Sequence, residues 1–200
     1  MIRMMLVATA CAVLLSSCVI KIGGTSVERG ATKGNLRSID GNLRIGDRAT
    51  VKSARAIDGN VIVGDGAQVG SIGVIDGGVR GGNDLTVRKD IEVIDGEIRL
   101  DSGTRVGGSV RLIDGEAWLT GTTVVGNLEL TCASGDLYAT TVSGRLTMRE
   151  MLPDSDDDCH NSLVLNIGPD SVIHALAVET HIEVVIDPTA SVTRVALEVD

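Results

Sequence analysis

Five aspartates recur at nearly constant spacing: Asp40, Asp58, Asp76, Asp95 and Asp114, each the centre of an Ile-Asp-Gly triplet. The later intervals are one residue longer than the earlier ones, and a degenerate copy, Ala133-Ser134-Gly135, follows after a slightly longer interval still. Carboxylates brought into one column could share a cation, because Ca²⁺ takes several oxygen ligands. Alternatively each Asp closes a turn: its carboxylate accepts hydrogen bonds from nearby backbone N–H groups, and the Gly that follows takes a positive φ. The chain lacks the Gly-Gly-x-Gly-x-Asp nonapeptide of calcium-binding β-rolls. The column is therefore expected to build turns, and no metal or other cofactor is expected.

Few other residues are spaced for chemistry. Cys132 and Cys159, 27 residues apart, could form a disulfide or could stay buried as small apolar thiols. His160 adjoins Asp154, Asp156, Asp157 and Asp158, a set that could bind a divalent metal. A short charge run is more often a solvated loop. His174 and His181 have no carboxylates at matching spacing. No Ser/His/Asp order, phosphate loop or zinc-type Cys spacing occurs. No catalytic residue is assigned, and the chain is read as non-enzymatic.

A fixed period of about 18 residues implies one small structural unit stacked many times. Counting from each Ile as position 0, positions +4 and +6 are apolar, as in Leu43/Ile45, Val61/Val63 and Ile98/Leu100. Positions +10 and +12 follow the same rule in Ala49/Val51, Leu85/Val87, Thr104/Val106 and Thr123/Val125. So do positions −3 and −1, in Ile72/Val74, Ile91/Val93 and Leu130/Cys132. Each repeat thus holds three segments of period two, the pattern of strands with one buried face. The expected fold is all-β: a single-stranded parallel β-helix, or solenoid. It has about 18–20 residues and three short strands per rung, with roughly eight rungs over residues 35–200. A pair of antiparallel sheets is the competing architecture, but it gives no reason for triplets in phase.

The rung assigns neighbours. Residues 151–158 (MLPDSDDD) read as an acidic loop insertion. With about eight residues removed, Cys132 and Cys159 share position −1 on adjacent rungs, about 4.8 Å apart and within disulfide reach. Position +5 points outward and reads Arg44, Ile62, Arg80, Arg99, Trp118 and Tyr138. The only Trp and the only Tyr are thereby expected side by side, with Arg99 next in line and Glu97 and Glu116 near enough to pair with Arg80 and Arg99. Arg80, Arg99, Trp118 and Tyr138 form either a self-satisfied surface ladder or a docking strip for a glycan or protein.

Composition limits the rest. Phe is absent, so Val, Ile, Leu and Ala must fill the core, which suits a narrow solenoid. Residues 1–17 read as a secretory signal, with Arg3 before an apolar stretch from Met4 to Leu15 that is too short to span a bilayer. Removing it leaves 17 basic against 27 acidic residues, a net charge of −10. Such a chain is a poor partner for nucleic acid. Export would place the cysteines in an oxidising compartment, which favours the disulfide.

The signal ends in Leu15-Ser16-Ser17-Cys18, which resembles a bacterial lipobox. That resemblance implies that Cys18 becomes an acylated N-terminus anchoring the protein to a membrane. Val19, where an Asp would favour inner-membrane retention in enteric bacteria, implies the outer membrane, facing the periplasm or the exterior. An ordinary signal peptide with an incidental Cys is the alternative. Residues 18–34 would then be the lipidated end and a flexible tether. The Val/Ile ladders with Gly-Asn and Gly-Glu turns resemble bacterial adhesin-type β-solenoid repeat domains and, more distantly, bactofilins. The first resemblance implies an envelope role, structural or adhesive, with an envelope protein or glycan as partner. The second implies a self-polymerising scaffold, hence a homo-oligomer. A polysaccharide-acting β-helix enzyme is a third reading, and it suits a short, aromatic-poor chain least.

Overall fold

The computed structural model describes residues 19–150, 159, 162–179 and 181–198. The signal segment 1–17, Cys18, the acidic stretch 151–158 and His160 lie outside these residues. Among the described residues all regular structure is strand, and every strand pairing is parallel. One ladder climbs through Val19, Leu36, Ala54, Ile72, Ile91, Val110, Leu128, Leu146, Leu176 and Val195. The chain is a parallel β-solenoid of about nine turns.

Three faces enclose the core. The first carries residues such as Leu112 and Leu130 inward, the second Leu100 and Leu119, the third Val87 and Val106, all at most 1% exposed. The alternation seen in the sequence is the in-and-out alternation of the pleat. No rung can bury its own face, so each depends on its neighbours. Leu, Ile and Val meet like residues above and below, and one continuous cluster runs from Val27 to Ile182.

Corner lengths explain the wandering period. Two residues, Gly70 and Ser71, separate Val69 from Ile72, whereas three, Arg88 to Asp90, separate Val87 from Ile91. That added residue lengthens the period by one. Two rungs later a different corner shortens: three residues lie between Leu100 and Thr104, but only Thr120 and Gly121 between Leu119 and Thr122.

Four expectations need correction. First, pairing begins at Val19, and Thr25–Val27 pairs with Leu43–Ile45, so most of the stretch 18–34 is solenoid rather than tether. Val27, 4% exposed, already fills an inward position. Second, because of the shortened corner, Thr122 and Val124 face inward, while Thr123 and Val125 do not. Third, the rung after Ile113 begins at its ladder partner Thr131, and not at Ala133. Fourth, the interruption after Arg149 is longer than the acidic stretch alone. Arg111 and Glu129, one rung apart, differ by 18 in sequence, whereas the ladder partners Asp136 and Asn166 differ by 30.

Candidate functional site

The Ile-Asp-Gly corner takes positive φ at both residues. The aspartates Asp40, Asp58, Asp76, Asp95 and Asp114 lie at 55–58°, and Gly41, Gly77 and Gly115 follow at 155°, 155° and 135°. Asp is among the few side chains that enter the left-handed region readily. The glycines also serve close approach: a Cβ on Gly96 would fall on the carbonyl oxygen of Gly77, and one on Gly115 on that of Gly96. The five Asp side chains are exposed and accept no hydrogen bond from any described residue. Nor do three or more His, Cys, Asp or Glu side chains gather to hold a metal among the described residues.

Side-chain caps sit at other corner positions instead. Asn42 Oδ1 accepts the backbone N–H of Asn60 at 2.8 Å, and Asn60 Oδ1 that of Gly78 at 2.9 Å. Asp65 Oδ1 accepts the N–H of Asn83 at 2.8 Å. Asp90, Ser109 and Asn127 accept in turn from Ser109, Asn127 and Arg145, at 2.8, 3.1 and 3.0 Å. Each ladder satisfies a donor that the turn would otherwise leave unpaired. The sequence signal was present: Asn, Asp or Ser at one offset in successive repeats.

The most differentiated outer surface lies on the second face. Arg80, Arg99 and Trp118 occupy one column, as expected. Arg80 reaches Glu97 Oε1 at 2.7 Å, and Arg99 Nε reaches Glu97 Oε2 at 3.2 Å. Arg99 also lies over the Trp118 ring, 3.9 Å from its centroid, a cation–π contact. Glu97 therefore ties two arginines together and holds one against the indole. Its carboxyl is held below the usual Glu range chiefly by the Arg80 hydrogen bond; burial opposes this, and Arg99 adds to the lowering. Glu116 makes no ion pair among the described residues.

Tyr138 is not part of this strip. Trp118 pairs with Asp136, whereas Tyr138 pairs with Thr120 at the next corner and is 53% exposed. The two-residue difference between a rung starting at Thr131 and one starting at Ala133 moves Tyr138 off the face. Asp136 extends the column as an acidic residue, and its Oδ1 accepts a bond from Asn166 Nδ2 at 2.6 Å.

The disulfide forms between Cys132 and Cys159, with Cα atoms 5.2 Å apart. Cys132 is not at position −1, which Leu130 fills opposite Leu112. It follows Thr131 as Asp114 follows Ile113, so it occupies the corner of the aspartates and shares their positive φ, at 48°. Cys159 precedes the point where the ladder resumes, marked by the Val164 N–H donating to Ser134 Oγ at 3.2 Å. The bond therefore ties the returning chain to the corner it left. Glu97, Asp114, Glu116, Trp118 and Ser134 line a shallow groove that ends against this disulfide.

Comparison with known proteins finds no matching family model, no matching curated protein and no matching solved structure.

Proposed function

We propose that the protein is a non-enzymatic, lipid-anchored component of a bacterial cell envelope that presents its β-helical surface for adhesive or structural contacts. The carrying observation is the second-face strip, where Trp118 is held by Arg99 and Glu97 beside the disulfide-bounded groove. An aromatic ring set among carboxylates and an arginine on a rigid ladder offers stacking and hydrogen bonding without reorganisation, which suits docking of a glycan or an envelope protein. The lipobox-like Leu15-Ser16-Ser17-Cys18 supports anchoring at the outer membrane.

Two measurements test this reading. Metabolic labelling with a palmitate analogue should mark the native chain and not Cys18→Ser; equal labelling of both would remove the anchor from the proposal. For docking, Trp118→Ala should weaken binding of the protein to cells or to a glycan array at unchanged melting temperature. Undiminished binding would move the docking surface elsewhere.

A second reading, a self-polymerising scaffold, draws on the last rung. Val185, Ile186 and Val195 there are 48%, 43% and 60% exposed, and a strand edge with no partner among the described residues is a template for another chain. Filaments of the purified chain, lost in Val195→Lys, would favour that reading over a docking role.

A further inference from the structure

The outer surface of the first face carries a feature that neither the anchor nor the docking strip uses. Ile22, Ile39, Ile57, Ile75 and Ile94 lie one above another in successive rungs, and they are 82%, 45%, 48%, 48% and 36% exposed. Consecutive rungs are about 4.8 Å apart, so five large β-branched side chains form a strip about 19 Å long, of which the last three surround Gly73. Single exposed apolar residues need no explanation, whereas a contiguous strip on a sheet marks a contact surface.

Beside the strip runs a second outward column: Arg37, Arg55, Gly73, Glu92, Arg111 and Glu129. Its last two members are paired within the chain, Arg111 with Glu129 at 2.8 Å. Arg55 and Glu92 are exposed and make no ion pair with a described residue. Gly73 stands between them and contributes no side chain, and the Arg55 side chain leans over it, with Cγ and Nε 3.6 and 3.9 Å from where a Cβ on Gly73 would lie. Arg55, Ile57, Ile75, Lys89 and Glu92 line a groove on this face.

We propose that this face is the interface of a dimer in which two copies of the chain pack antiparallel about Gly73. A two-fold axis along the strand through Gly73 exchanges the rung above it with the rung below. Ile75 then meets Ile75 of the other copy, Ile57 meets Ile94, and Arg55 meets Glu92 on both sides of the axis. The complementary charges are Arg55 and Glu92, paired twice across the axis. One rung further out Arg37 faces Arg111, whose charge Glu129 already offsets within its own chain. The spacing points the same way: a partner matching the isoleucine strip must offer an apolar residue about every 4.8 Å, and a second copy does so in every rung. Paired sheets with identical repeats interdigitate into dry interfaces. The aspartates that follow each Ile are exposed corner residues and stay at the rim.

Sedimentation velocity of the full chain carrying Cys18→Ser, so that no acyl group contributes, tests the proposal. A concentration-dependent dimer is expected. Ile75→Lys, at an exposed position, should weaken it at least tenfold with an unchanged melting temperature. Arg55→Glu and Glu92→Arg should each weaken it. The two together should restore it, because each new carboxylate then faces a new guanidinium of the partner. A monomer at every concentration would overturn the proposal. So would a dimer indifferent to Ile75→Lys, a double charge swap weaker than either single change, or an association abolished by Val195→Lys alone.

Discussion

The rungs from Ile39 to Ile113 and those from Thr131 onward share one architecture but are held at their first corner by different means. In the earlier rungs Gly41, Gly59, Gly77, Gly96 and Gly115 stack so closely that no Cβ fits between successive backbones. In the later ones the corner reads Cys132-Ala133, and the disulfide to Cys159 replaces the glycine stack. The first device is continuous and repeats at each level. The second is a single covalent tie at the level where the chain makes its long excursion between the ladder partners Leu137 and Ile167. A solenoid tolerates such an excursion from one corner because each rung contacts only its neighbours, provided the returning strand is guided back into register.

Perturbing the two corners should show the difference. The largest effect is expected for Gly96→Val: the new side chain meets the Gly77 backbone, and the rungs must separate. A loss of roughly 3–5 kcal/mol in urea unfolding is expected, and a loss below about 1 kcal/mol would mean the glycine stack is not a structural requirement. Next is Cys159→Ser, which opens the loop closed between residues 27 apart. The expected cost is about 3 kcal/mol. Amide exchange should accelerate in residues 163–198 while the rungs before Ile113 stay protected; uniform acceleration would show that the tie serves the whole stack.

Asn60→Ala probes the earlier corner more gently. It removes the acceptor of the Gly78 N–H, for an expected cost of about 1–2 kcal/mol measured by thermal unfolding. The smallest effect belongs to Glu97. Its pKa is lowered in the folded chain, so its contribution is present above the ordinary carboxylate range and is lost as pH falls through the folded value, below 4.5. These are surface pairs, so Glu97→Gln should cost only about 0.2–1 kcal/mol at neutral pH. The difference from the native chain should vanish in acid, and a difference independent of pH would assign it to packing instead.

The same contrast governs how far the residues could be placed beforehand. From Ile39 to Ile113 the triplet marks every level, and the inward columns up to Leu119 and the Arg80–Arg99–Trp118 alignment follow by counting; that Glu97 alone, without Glu116, takes both arginines does not. Past Ile113 the triplet is lost. Aligning Ala133-Ser134-Gly135 with it overshoots by two residues, enough to carry Tyr138 onto a face it does not occupy. The exposure of the isoleucines was also legible: position −1 points inward, so position 0 points out.

By itself the chain determined the solenoid and its all-parallel stacking; it pointed to the Cys132–Cys159 pair through a shared position −1 that Cys132 does not occupy. A repeat of period-two segments can bury its apolar residues only against copies of itself. The tertiary structure decided the corner lengths, and with them which residue opens each rung. A corner of two residues and one of three both close a coil, and the choice lies in how the next strand finds its neighbour's hydrogen bonds. The ladder absorbs one residue gained or lost there, but a fixed period counted past it assigns every later side chain to the wrong face. That is why Cys132 stands in the column of the aspartates, and why Trp118 has Asp136 rather than Tyr138 beside it.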